Sequence, residues 1–380
     1  MHKSDLVVFA EDWGRHPSST QHLVKCLAHD RQVLWVNSIG LRRPRLSIGD
    51  GRRILGKLVS FSRQSMVRSE VLKTMRHSAE GPEILSPIAI PLPASRLAGQ
   101  ANRILLRSQV MRRLKAMDVK RPILWVSLPT AVVVAGALGE RALVYYCGDD
   151  FGALQGVDCA PVLQLERELV QKADLVLAAS DVLAQRFPRH KTRLLPHGVD
   201  VELFARPASS PDDLPSNRPV AGYYGVLGNW FDVEALAAAA RELPEWAFLL
   251  IGPVETDVSA LSSLANVYLL GPRRYETLPG YVQNWTVSLI PFRDTAWTRA
   301  MNPLKLREYL AAGRPIVATS LPALAPYLDL VHVYYDAPSL VAAIRSAALN
   351  PDDTARRRAR VASETWESRA NEVREAIDAL

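Results

Sequence analysis

Val287-Ser288-Leu289-Ile290-Pro291 leads, ten residues on, into Asn302-Pro303-Leu304-Lys305-Leu306-Arg307-Glu308-Tyr309-Leu310-Ala311-Ala312-Gly313-Arg314-Pro315 and then Ile316-Val317-Ala318-Thr319. The outer runs are short and apolar, as strands covered on both faces are. The middle stretch reads as a helix from Leu304 to Ala312. Asn302 is the expected N-cap and Pro303 the first helical residue. Gly313 suits a left-handed end, and Pro315 blocks continuation. Strand, helix, strand is a parallel βαβ unit.

The same alternation extends in both directions. Downstream of residue 219, strands are expected at Val220–Tyr224, Ala247–Ile251, Val267–Leu270, Val287–Pro291, Pro315–Thr319 and Val331–Tyr335, with a helix at Val233–Ala240. Upstream, apolar runs occur at Leu6–Ala10, Gln32–Asn37, Ile123–Ser127, Ala142–Tyr146, Leu175–Ser180 and Arg193–Pro196. Ser18–His29 between the first two has helical spacing. Prolines crowd Asp200–Pro219, which reads as a linker. The expected fold is α/β, with two Rossmann-like, doubly wound parallel-sheet domains facing a cleft. Residues 1–200 would form the first and 201–355 the second. A charged amphipathic helix over 356–380 would return toward the first. Open sheets of this kind bind ligands beyond the carboxyl ends of their strands.

Composition narrows the class. Of 380 residues, 48% are hydrophobic and 22% charged, which suits packed domains. No run reaches the ~20 apolar residues a membrane span needs. The three cysteines show no metal-ligand spacing, as in a reducing cytoplasm. Residues 1–122 hold 22 Lys+Arg against 9 Asp+Glu, a balance of +13, whereas the remainder stands at −6. Arg42-Arg43-Pro44-Arg45 and Arg52-Arg53 lie among apolar residues, which suits an anionic membrane surface at the inner face of the cell membrane. An ordinary solvated basic surface explains them equally. The clusters lack interleaved aromatics, so no nucleic-acid partner is expected.

The Asn302 helix carries the clearest chemistry. Its N-terminus, with the backbone of Pro303 and Leu304, offers partial positive charge to a phosphate, and Lys305 adds a full one. Glu308 lies on the same face and could accept bonds from both ribose hydroxyls. A surface Lys305–Glu308 pair on a packing helix is the plain alternative. Elsewhere, Tyr145-Tyr146-Cys147-Gly148-Asp149-Asp150-Phe151 and Glu11-Asp12-Trp13-Gly14-Arg15-His16 each follow a strand.

Asn302–Ala318 resembles the donor-binding signature of GT-B glycosyltransferases of the retaining family 4 type. Ala173–Ser180, Pro196-His197-Gly198-Val199-Asp200, Gly222–Gly228 and Thr365-Trp366-Glu367 resemble other segments of that family, in the same order. The resemblance implies a nucleotide-diphosphate sugar donor, with Lys305 on the diphosphate and Glu308 on the ribose. Gly225 and Gly228 would let a loop approach the donor, and Arg293 would reach a phosphate oxygen. Arg273 and Tyr275 fall where the base lies. The family has a second glutamate eight residues before Glu308, and here that position is Ala300. Its loss turns attention to another base. The Tyr-x-x-x-Asp pattern at Tyr145–Asp149 resembles the inverting glucuronosyltransferase of the xanthan pathway and nominates Asp149, with Asp150 and His16 as competitors. Asp12 and Trp13 would touch the acceptor.

The expected activity is transfer of a sugar to a glycan or lipid-linked acceptor in surface polysaccharide or envelope glycan synthesis, without cofactor or essential metal. A retaining family 4-like transferase, a nucleotide-sugar epimerase and a non-catalytic binding protein are the alternatives.

Overall fold

A computed structural model describes residues 3–14, 18–39, 81–90, 92, 95–153, 159–349 and 353–380. His16 and the clusters at Arg42–Arg45 and Arg52–Arg53 lie outside the described residues.

Two parallel sheets organise the chain. The first contains β1 (Leu6–Phe9), β2 (Val33–Val36), β3 (Glu83–Leu85), β4 (Ile123–Val126), β5 (Ala142–Cys147), β6 (Leu175–Ala178) and β7 (Thr192–Leu194). Their order is β3-β2-β1-β4-β5-β6-β7. In register, Val8 of β1 lies between Trp35 and Trp125. Both tryptophans are fully buried, and each indole N–H finds a partner, the Glu11 carbonyl at 3.0 Å and the Ser127 hydroxyl at 2.9 Å. Burial of such rings requires those bonds. Strand β3 escaped the sequence reading. Its three residues are largely half-exposed or exposed, so they lack the apolar run that marks its neighbours.

The second sheet contains β8 (Val220–Tyr224), β9 (Ala247–Ile251), β10 (Val267–Gly271), β11 (Val287–Ile290), β12 (Ile316–Thr319) and β13 (Val331–Tyr334). Its order is β10-β9-β8-β11-β12-β13. The order reverses between β8 and β11. Loops leaving these two strands therefore diverge and open the position where such sheets bind ligands. In the first sheet the corresponding reversal lies between β1 and β4.

By compactness, one unit comprises residues 1–146, 156–176 and 374–380, and the other 147–155 and 177–373. This division is more intricate than a single cut at residue 200. The loop after β5 belongs with the second unit because its aspartates bond there, as described below. The end of the chain belongs with the first: Arg374 donates to the Cys26 carbonyl at 2.6 Å, and Asp378 lies 3.6 Å from Arg31. The C-terminal stretch is two helices rather than one, Thr354–Val361 and Trp366–Asp378. Between them Thr365 bridges to Val199, and the Val199 N–H reaches the Glu364 carbonyl at 2.9 Å.

Candidate active site

The helix at Leu304–Ala312 ends as its residues require, on Gly313 in the left-handed region at φ 86°. Its start differs from expectation. Pro303, not Asn302, occupies the N-cap position, and no side chain caps the helix. Asn302 is engaged elsewhere. Its amide donates to the Ala179 carbonyl and its oxygen accepts from Arg307, both at 2.7 Å. Arg307 is buried and pairs with Glu364 at 2.6 Å. Asn302 thus fastens the helix entry to the loop after β6, and the first-turn N–H groups lack a side-chain acceptor.

The helix is not a surface element, because every residue from Leu306 to Ala312 is buried. The plain surface-pair alternative therefore fails. Among the described residues no carboxylate lies within ion-pair distance of Lys305. Its ammonium sits 5.5 Å over the Tyr223 ring. The aliphatic end of the side chain rests where Gly225 has no side chain. A Cβ at Gly225 would lie 2.3 Å from Lys305 Cε and 2.7 Å from Nζ. Gly225 also has φ 136°, which other residues rarely adopt. Gly225 therefore makes room for the lysine itself. Gly228 is a second close approach, since a Cβ there would lie 2.2 Å from the Trp230 ring. Burial pushes the Lys305 pKa down, and the nearby Glu308 charge opposes this.

Glu308 is 6% exposed, and both its oxygens are occupied. Tyr275 donates to one at 2.7 Å, and Tyr224 donates to the other. Burial pushes the Glu308 pKa up, against the two phenols and Lys305. Tyr275 thus joins Glu308. Arg273 does not join it. Its guanidinium is bonded to Asp213 at 2.8 Å, to Tyr281 and to the Leu270 and Pro272 carbonyls. Arg293 is exposed, and its side chain makes no hydrogen bond among the described residues.

The two adjacent aspartates separate sharply. Asp150 pairs with Arg186 at 2.5 Å and accepts from the Gly152 N–H at 3.0 Å. Asp149 has no cationic partner among the described residues. One of its oxygens accepts from the Trp297 indole at 2.6 Å and from the Asp150 N–H at 2.8 Å. Burial pushes the Asp149 pKa up to about 6, with those bonds opposing. Trp297 lies in the short helix Ala296–Ala300, closed by a Thr295/Thr298 capping box. Its ring meets Trp230 edge to face at 4.9 Å. Trp230 follows Gly228, so Asp149 is tied to the loop after β8 as well as the loop after β11. The sequence reading missed Trp297, Trp230 and Arg186, because nothing local marks a residue whose partner lies 36 to 148 positions away. Ala300, where the second glutamate would stand, is buried, and its carbonyl accepts from Ser180 at 2.7 Å.

In the first unit, side chains hold the described part of the loop after β1. Glu11 accepts from Ser18 and from Gln21 at 3.1 Å. Trp13 packs edge to face on Trp35 at 4.7 Å. One Asp12 oxygen is buried without a partner among the described residues. Those residues hold no group of three or more His, Cys, Asp or Glu side chains suited to a metal ion.

Comparison with known proteins bears on the fold and on the second sheet. Residues 218–349, which carry the second sheet, match the family model "Glycosyl transferases group 1". The protein named "Putative teichuronic acid biosynthesis glycosyltransferase TuaH" of Bacillus subtilis (strain 168) is 29% identical over 225 residues, 54% of this chain and 57% of that protein. The chain therefore aligns with little more than half the length of that relative. Sucrose-phosphate synthase from Thermosynechococcus elongatus superposes with a TM-score of 0.70 at 16% identity, covering 99% of each chain. Anabaena HepE, solved in complex with UDP and glucose, gives 0.69 at 16% identity, covering 99% of this chain and 100% of that one. The chain has the GT-B fold of these solved structures, and its residues 218–349 are similar to the group 1 glycosyltransferases.

Proposed function

We propose that this chain transfers a sugar from a nucleotide-diphosphate donor to a hydroxyl of a glycan or lipid-linked acceptor in cell-envelope polysaccharide synthesis, with inversion and with Asp149 as base. The observation that carries this reading is the contrast at Asp149: a desolvated carboxyl with a pKa near 6, held by one indole and one backbone N–H, beside an aspartate neutralised by arginine. A base poised near the working pH is mostly ionised yet still able to take a proton.

In this mechanism the acceptor hydroxyl gives its proton to Asp149 as its oxygen bonds to the anomeric carbon. The bond from that carbon to the phosphate oxygen breaks on the opposite face. The departing diphosphate gains charge, which Lys305 and the uncapped helix N-terminus stabilise. Glu308, fixed by two phenols, is oriented to accept ribose hydroxyls. Ala300 leaves no second glutamate for the retaining route, which favours inversion. The HepE complex makes a uridine diphosphate sugar the first donor to test, and the teichuronic acid relative makes an envelope glycan the first acceptor class.

The test is incubation of UDP-sugars with an envelope lipid extract, with and without acceptor, and determination of the anomeric configuration of the product. Sugar transferred with inversion, and lost in Asp149→Asn, is the expected result. Isomerised donor without acceptor, or a product of retained configuration, would overturn it.

A further inference from the structure

Exposed apolar side chains on this molecule are concentrated. Among the described residues, eight of the thirteen large exposed hydrophobics fall between Ile84 and Met111. A monomer scatters such side chains, and clustering marks an interaction surface. The helix Arg96–Ala116 carries many of them. Its inward face is Ala98, Asn102, Leu106, Val110 and Leu114. Leu97, Ile104 and Met111 are 79%, 71% and 37% exposed. Spaced by seven, they form a stripe two turns apart on the opposite face.

The stretch before the helix is held against it by two side-chain amides. Asn102 accepts from the Ile90 N–H at 2.7 Å and donates to the Ile90 carbonyl at 2.9 Å. Gln109 does the same for Ile88, at 2.9 and 3.0 Å. Both isoleucines nevertheless stay open to solvent, at 36% and 49% exposure. Their backbones are satisfied while their side chains are left outside, which is costly unless something covers them.

Charge selects what covers them. The helix contains six Lys and Arg and no Asp or Glu. Arg103 and Arg107 donate to the Val133, Ala135 and Ala137 carbonyls, and Arg113 pairs with Glu83. Arg96, Arg112 and Lys115 have no carboxylate partner among the described residues. A second copy would set like charges against like across a two-fold axis. A surface that is both apolar and uniformly cationic matches an anionic lipid interface, where apolar tips enter the acyl boundary and basic groups meet headgroups.

We propose that the Arg96–Ala116 helix, with the segment at Ile88–Ile90, docks on an anionic phospholipid bilayer. Together with the transferase reading, this would hold the enzyme where a lipid-linked acceptor lies. The docking itself does not depend on that reading, since it is measured without donor or acceptor.

The test is co-sedimentation of the full chain with vesicles of equal parts phosphatidylglycerol and phosphatidylcholine, and with phosphatidylcholine alone. Binding is expected to the anionic vesicles, weakening as salt rises. The double variant Leu97→Asp/Ile104→Asp should bind at least ~10-fold more weakly. Leu328→Asp, at a position 58% exposed in the other unit, should bind as the native chain does. Both variants should melt as the native chain does, since the positions are exposed. Absence of binding to anionic vesicles, unchanged binding by the double variant, or a native dimer that the double variant dissolves without altering vesicle binding would each overturn the proposal. Vesicle binding without sugar transfer would instead overturn the transferase reading alone.

Discussion

Glu308 and Asp149 are both desolvated carboxyls, both have pKa values pushed up by burial, and they are furnished in opposite ways. Glu308 has one tyrosine hydroxyl on each oxygen and a lysine nearby. Among the described residues, Asp149 has both of its donors on one oxygen and no cation within ion-pair distance. A carboxylate held from both sides is a fixed acceptor whose orientation is its function. One held from a single side keeps lone pairs free on the other, where a proton can arrive. In the proposed mechanism the difference fits binding for the first and proton transfer for the second.

The sharpest way to break this comparison is Asp149→Asn. The amide can still accept the indole bond but cannot take a proton. Turnover should fall by roughly 100-fold to 10,000-fold while donor affinity stays near native. Stability should move the other way. A native pKa near 6, above the ordinary 3.8, means the folded state binds the proton more tightly. Stability contributed by this site is therefore present at low pH and is lost as pH rises from about 4 to 6. At pH 7 the variant should be more stable than the native chain by on the order of 2 kcal/mol, and near pH 4 the gap should close. Melting curves at both pH values check this. An asparagine variant with near-native turnover would remove Asp149 from the role.

Lys305 should come next. Lys305→Met should cost about 100-fold in turnover, as loss of a preorganised charge does. Gly225→Ala should copy much of that loss, although it touches no substrate in this reading. Its Cβ would enter the space of the lysine Cε and strain a backbone at φ 136°. If Gly225→Ala bound donor and turned over normally, the lysine would not need its present place.

This pair also shows what was legible in the sequence. The strands, helix and glycines could be read, because burial and backbone freedom leave local marks: apolar runs, a glycine after a helix, a proline that stops it. Gly225 was singled out as room for a donor, but what a side chain there would meet in the structure is Lys305, eighty positions away. Asn302 was read as a cap on local chemistry, whereas Ala179 and Arg307 claim its side chain. The choice between Asp149 and Asp150 was equally hidden. In the proposed mechanism Arg186 and Trp297 distinguish the two, and neither has a local signature.

On the Glu308 side, Tyr275→Phe should have a smaller effect. It removes one donor from a buried carboxylate and leaves that oxygen unpaired, a cost of about 1–3 kcal/mol in stability. If Glu308 orients the donor, KM for the donor should rise by roughly 10-fold with kcat little changed, consistent with loss of uniform binding. A fall in kcat at unchanged KM would place Glu308 in the chemical step and erase the contrast with Asp149.

The finest test concerns the indole that holds Asp149. Trp297→Phe keeps most of the ring packed against Trp230 but deletes the N–H. That bond favours the ionised carboxylate, so its loss should raise the Asp149 pKa above about 6. The acid limb of the rate–pH profile, set by ionisation of the base, should then move to higher pH. Turnover at pH 6 should drop several-fold, while turnover at pH 8.5 should stay close to native. A merely structural role for Trp297 would lower the rate equally at every pH. A uniform loss would therefore detach the indole from the base, and a shifted limb would tie the loop after β11 to proton transfer at the loop after β5.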